Sequence, residues 1–176
     1  MRTIPLLPYQ KLLFNSPLSR EELTRRLARE VSKSRWGFAL FERRTELFEG
    51  TITSEGFKVS RIIRYRNSFL PVISGNFSPT AKGVRVDVTL RLHGAVLAFS
   101  VVWLSFVGLG AAAVVLELLR SEPLGQVSLI PLGMLAFFYL LVTLSFGFEA
   151  RKARRLLGEI FEAEALDANG DWTMER

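Results

Sequence analysis

From Val84 to Leu92 the chain alternates without a fault. Val84, Val86, Val88, Leu90 and Leu92 are apolar, and Arg85, Asp87, Thr89 and Arg91 are polar. A period of two puts successive side chains on opposite faces of a sheet, so this segment predicts a strand with one buried face. Phe57 to Tyr65 alternates less cleanly. Phe57, Val59, Ile63 and Tyr65 fall on one face, with Lys58, Ser60 and Arg64 on the other. Arg61 breaks the apolar face and Ile62 breaks the polar one. Leu47 to Thr53 leads into this strand through a hairpin turn at Ser54-Glu55-Gly56. Asn67 to Phe77, entered through Pro71, supplies another strand, and Pro79 to Gly83 turns the chain into the last one. Together they predict a four-stranded antiparallel meander.

A slower rhythm precedes these strands. Leu23, Leu27 and Val31 recur every four residues, which predicts a helix over Asn15 to Val31. Ser19 followed by Glu22 is a capping box, and Leu18 and Leu23 stand at its staple positions. Arg20, Arg25, Arg26 and Arg29 surround the stripe, either as a surface for lipid phosphate or as an ordinary solvated face.

Two long runs then lose the rhythm altogether. Ala95 to Leu119 and Val127 to Phe148 are almost wholly apolar. Each reaches the roughly 20 residues needed to cross a bilayer core. Beyond Phe148, Ala153, Leu156, Leu157, Ile160 and Phe161 restore a helical stripe. That amphipathic segment either lies along the membrane surface or packs back on the sheet. The expected fold is an α+β membrane protein. Residues 1–93 form a cytoplasmic domain of one helix and the meander, residues 94–150 a transmembrane hairpin, and residues 151–176 an amphipathic helix and tail. Only His93 and Gly94 separate the last strand from the first run, so the sheet is expected to sit directly beneath the membrane.

Charge sets the expected orientation. The chain carries a net +6, but residues 1–93 hold 17 Lys and Arg against 8 Asp and Glu. Lys82, Arg85 and Arg91 precede the first run, and Arg151, Lys152, Arg154 and Arg155 follow the second. The segment Arg120 to Gln126 between the runs has one Arg and one Glu. Basic residues crowd the cytoplasmic ends of spans. A multi-pass inner-membrane protein with both termini cytoplasmic is the expectation. The opening stretch is interrupted by Pro5, Pro8 and Lys11 and does not read as a signal peptide, so the first long run is the expected insertion signal. A basic domain beside a membrane points to anionic headgroups rather than nucleic acid.

Chemistry is sparse. The chain has no cysteine and one histidine, His93, which removes thiol chemistry and a multi-histidine metal site. No phosphate-binding glycine loop, nucleophile elbow or zinc-protease motif occurs. No enzyme and no cofactor are expected. Arg61, Arg64, Arg66 and Asn67, in RIIRYRNSFLP, are a candidate anion or headgroup patch, because guanidinium offers forked donors. The other reading is a turn in which Asn67 and Ser68 bond their own backbone. Gly108, Ala112, Gly133 and Ala136 are candidate helix-packing positions, within the hairpin or between copies. Glu117 is the acid inside a run; Arg120, three residues on, is its expected partner.

The block FEGTITSEGFKVSRIIRYRNSFLPVISG, with the alternating strand and VVWLSFVGLG after it, resembles a family of small uncharacterised bacterial two-span membrane proteins. The likeness covers about residues 47–110, with RYRNSFLPVISG its most specific part. The family implies a bacterial source and no activity. The layout is also similar to small bacterial proteins that join pleckstrin-like sheets to membrane hairpins. The expected function is a non-catalytic, membrane-anchored interaction or scaffold protein, with a protein partner or a second copy bound. An anionic-lipid-binding or sensing protein and an auxiliary subunit of a membrane transporter are the alternatives.

Overall fold

The computed structural model describes residues 7–33, 46–63, 65–119 and 129–167. In chain order these form β1 (Tyr9–Ser16), α1 (Arg20–Glu30), β2 (Val31–Lys33), β3 (Phe48–Ile52), β4 (Gly56–Arg61) and β5 (Val72–Thr80). There follow β6 (Gly83–Arg91), α2 (Gly94–Leu119), α3 (Ile130–Phe161) and β7 (Ala165–Asp167).

The alternating segment is the spine of the sheet. β6 pairs antiparallel with β5 on one side and with β1 on the other. Val84, Val86, Val88 and Leu90 are all buried, as their period required. The meander β3-β4-β5-β6 forms, but β4 stops at Arg61 rather than Tyr65, and β5 runs Val72–Thr80 rather than Asn67–Phe77 and takes in Pro79. The sheet has seven strands, in the order β2-β3-β4-β5-β6-β1-β7. Three strands were not legible. β1 reads Tyr-Gln-Lys-Leu-Leu-Phe-Asn-Ser, and its consecutive Leu12, Leu13 and Phe14 hide the period of two. Only its pairing with β6 sorts them, burying Leu12 and Phe14 and leaving Leu13 on the other face. β2 and β7 have three residues each, too few to show any period.

The expected helix over Asn15 to Val31 is shorter, because Asn15 and Ser16 belong to β1 and Val31 begins β2. Ser19 caps it, accepting from the Glu22 N–H at 3.3 Å. Glu22 does not reciprocate; its carboxylate turns to Arg25 and Arg26. The bond from Arg26 is the main reason the Glu22 carboxyl is held below the usual carboxylate range. The pairings make β1 and β2 run in the same direction at opposite sides of the meander. α1 therefore carries the chain across the sheet, and Leu23 and Leu27 are fully buried in the shared core.

The same core receives the lower half of α3. Phe146, Ala150, Ala153, Leu157 and Phe161 are all buried, at helical spacing. Phe161 meets Phe14 edge-on at 5.3 Å between ring centroids and Phe57 at 6.1 Å. Phe57 in turn lies over Gly75, where a Cβ would stand 2.2 Å from its ring. The choice left open for the amphipathic segment is thus decided: it is continuous with the second apolar run and packs on the sheet. Ser16 Oγ donates to Phe161 O at 2.6 Å, and Arg26 of α1 pairs with Glu162, so the end of α3 is tied to β1 and α1. β7 closes the edge beyond β1, with Arg154 donating to Ala165 O at 2.5 Å.

α2 and the upper half of α3 lie mostly outside this core and join it through Val96, Trp103, Phe138 and Val142. Both are long and apolar enough to cross a membrane, with mean hydropathy 2.2 and 1.9. Only 17% and 22% of their most apolar stretches are buried, which is not how the core helix of a soluble domain behaves. Phe99, Phe106, Leu109, Phe137 and Leu140 are among the large apolar side chains left open. Ser100 and Ser105 donate to the carbonyls of Val96 and Val101, which satisfies their hydroxyls within the helix.

Candidate functional site

The junction between the sheet and the two long helices holds the most unusual chemistry. Arg61 is the last residue of β4, at a position whose neighbours Phe57 and Val59 point into the core. The same alternation sends its guanidinium inward. There it meets Glu149, whose side chain is only 2% exposed. Arg61 Nη1 donates to Glu149 Oε2, and the Tyr65 hydroxyl donates to Glu149 Oε1. A buried carboxylate thus has a charged partner on one oxygen and a neutral donor on the other. Arg61 Nε is buried without a partner among the described residues. Glu149 lies in the first turn beyond the second apolar run, between the part of α3 that is open and the part that is in the core.

The segment after Arg61 continues the contact upward. Asn67 Oδ1 accepts from the Phe69 N–H at 2.9 Å, an Asx turn of the kind that competed with the anion-patch reading. The turn presents Phe69 edge-on to Phe138 of α3 at 6.2 Å. Phe138 stacks on Trp103 of α2 at 4.5 Å. RIIRYRNSFLP therefore acts as a brace. Arg61 and Tyr65 hold α3 at Glu149, and Phe69 holds it eleven residues earlier in the chain.

Of the four residues expected to share an anion patch, the three among the described residues do not face one surface. Arg61 faces inward with an acid, Arg66 is exposed, and Asn67 is half-buried in its own turn. Arg64 lies outside the described residues. The helix-packing expectation is also displaced. α2 and α3 meet where Trp103 stacks on Phe138 and where Gly110 approaches Pro131; Ala111 and Val114 are buried on the same helix as Trp103 and Gly110. A Cβ on Gly110 would touch Pro131 at 3.3 Å, whereas one on Gly108 or Gly133 would meet open space. Ala112 and Ala136 are exposed. Glu117 is exposed on α2, and Arg120, its expected partner, lies outside the described residues.

Sequence reasoning missed Glu149 and Tyr65. A signal was present. Arg61 is the charge that breaks the apolar face of β4, and Glu149 is the acid that opens an otherwise basic helical segment. Two exceptions of opposite sign are candidates for each other.

Family models, curated proteins and solved structures give no match to this chain. No group of His, Cys, Asp and Glu able to hold a metal ion occurs among the described residues.

The Tyr65 hydroxyl is pushed above the usual phenol range, first by its bond to Glu149, then by burial and the carboxylate's charge. A raised pKa favours the protonated form in the folded state. This contribution is therefore complete below the unfolded value of about 10 and is lost as pH rises through the folded one. Alkaline thermal melts should show a loss of stability above about pH 10 that Tyr65→Phe lacks. Parallel curves for the two proteins would mean that the hydroxyl contributes nothing.

Proposed function

We propose that this is a non-catalytic, two-span inner-membrane protein that presents its sheet domain to a protein partner at a fixed height and angle beneath the membrane. The observation that carries this reading is the continuity of α3. Its 32 residues measure about 48 Å, against about 30 Å for a bilayer core. The excess, beginning near Glu149, is the part buried against the sheet. α2 starts three residues after β6 ends. A domain held by one unbroken helix, a two-residue join and the Arg61–Glu149–Tyr65 brace has little freedom to swing. Such rigidity serves an interaction surface better than it serves a tethered enzyme that must reach its substrate.

The charge distribution supports an orientation with the sheet domain and both ends of the chain in the cytoplasm. Arg151, Lys152 and Arg155 are exposed just beyond the second run, and Arg91 stands just before the first. The chain lacks cysteine, so single-cysteine labelling is clean. On intact cells, a membrane-impermeant maleimide should label Ser121→Cys and spare Ser54→Cys. The reverse pattern would overturn the orientation.

Affinity purification of the full chain in a mild detergent is expected to bring down one protein in stoichiometric amount. Recovery of bound anionic lipid with no such protein would favour the lipid-binding reading instead. The outward-facing Gly108, Ala112, Gly133 and Ala136 support the third reading, a subunit of a larger membrane assembly. Under that reading Gly108→Leu would abolish the co-purification and mutations in the sheet would not.

A further inference from the structure

The face of the sheet turned away from α1 and α3 is polar. The strand register lines up its side chains in rows: Glu49, Ser60, Val72 and Arg91 in one, and Thr51, Lys58, Ser74 and Thr89 in the next. The first of these rows lies at the end of the sheet where β6 passes into α2. A groove of about 230 Å³ is cut there, lined among others by Glu49, Lys58, Ser60, Arg91 and His93. This is below the roughly 300 Å³ at which sites for whole cofactors and drug-sized ligands begin.

We infer that this groove binds the phosphate of an anionic phospholipid. The inference rests on the two-span reading above and assigns a lipid to a face of the sheet that the sequence did not single out. Arg91 and Lys58 are exposed, and no carboxylate pairs with either among the described residues. Glu49, the carboxylate on the rim, is engaged in an interaction of its own. His93 Nδ1 accepts the Ala95 N–H at 3.3 Å, so in the neutral ring the proton is on Nε2, which remains a donor. Ser60 adds a hydroxyl. The groove thus offers a guanidinium fork, an ammonium, an imidazole N–H and a hydroxyl, a donor set suited to phosphate oxygens.

Position argues for a lipid as the source. Arg91 and His93 stand immediately before Gly94, the first residue of the 26-residue apolar α2. If α2 crosses the bilayer, a group held by these two residues lies at headgroup level, where each basic side chain attracts anionic lipid.

The test uses the full chain in a mild non-ionic detergent, with thermal stabilisation read as binding. The probes are short-chain phosphatidylglycerol, phosphatidylcholine of the same chain length, inorganic phosphate and glycerol 3-phosphate. Phosphatidylglycerol should stabilise the parent most. Lys58→Gln/Arg91→Gln should weaken that binding about 30-fold. Lys82→Gln/Arg85→Gln removes the same formal charge at the far end of β6 and should change it less than about twofold, the size of effect expected of screened, distant charges. Lys58→Gln alone, about fivefold weaker, serves if the double variant melts differently without lipid. Equal stabilisation by the two lipids, or equal loss in the two double variants, overturns the inference. Equal stabilisation by the soluble phosphates assigns the groove to a soluble ligand and overturns the lipid source. Extraction of cell membranes with alkaline carbonate separates this from the underlying reading. A parent that stays in the pellet keeps its spans even if the lipid preference fails, and a parent that is released loses both.

Discussion

Arg61→Leu should destabilise the protein by about 3–5 kcal/mol, the usual cost of removing one partner from a buried ion pair. Glu149 would be left 2% exposed with only the Tyr65 hydroxyl to hold its charge. Glu149→Leu should cost a similar amount by stranding the guanidinium, which is itself 15% exposed. The informative variant is the double one. Arg61→Leu/Glu149→Leu removes both charges and fills the space with carbon, so it should recover most of the loss. Thermal or urea unfolding in detergent, run as a double-mutant cycle, checks this. If the two single changes simply add, the pair is not coupled and the brace is held by packing alone. The recovered double variant also separates stability from function. Should the pair fix the angle between α3 and the sheet, the double variant will fold but bind the proposed partner less well.

Val88→Asp should be as severe, for a different reason. Val88 is 1% exposed, flanked across the sheet by Leu12 and Gly75. An aspartate there has no cationic partner, so it either carries an unpaired charge into the core or takes up a proton at a cost. A loss of about 3–5 kcal/mol is expected, enough to consume most of the stability of a small domain. Thr89→Asp changes the same charge one residue along, on the polar face, and should cost less than about 1 kcal/mol. The comparison reads the register directly, because a slip of one residue exchanges the two faces. Equal melting of the two variants would show that β6 does not pair as described.

The Val84–Leu92 alternation and the Leu23–Leu27 stripe were sufficient for β6 and α1 because each is a single element with one buried face. The meander followed from turns at Gly56 and Gly83, which are local signals. β1 was not readable. Its Leu12-Leu13-Phe14 run fits a strand or a helix segment, and what selects the strand is an unpaired edge of β6 about 75 residues away. β2 and β7 are shorter still and exist only because a neighbouring edge offers hydrogen bonds.

The brace shows the same limit at the level of side chains. An arginine on an apolar strand face reads from sequence as exposed and available for a headgroup. In three dimensions Glu149 covers it, and Arg61 becomes part of a joint. The groove with Lys58, Arg91 and His93 was likewise hidden, because register is what brings Lys58 of β4 to the end of β6, where Arg91 and His93 stand. The exposed apolar surface of α2 and α3 needed no such help. A run of about twenty residues that is almost wholly apolar leaves no polar face to turn outward, whatever the rest of the chain does.

The sequence by itself determined what depends on near neighbours: the strand and helix periods, the two long apolar runs, the absence of thiol and multi-histidine chemistry, and the asymmetry of basic charge. Tertiary structure alone decided the seven-strand order, the burial of Arg61 against Glu149, the packing of α3 on the sheet and the face on which unpaired cations gather. Periodicity is written within one segment, whereas partner choice is a free-energy comparison among segments far apart. Only the folded chain, by burying Phe161 between Phe14 and Phe57, makes that comparison.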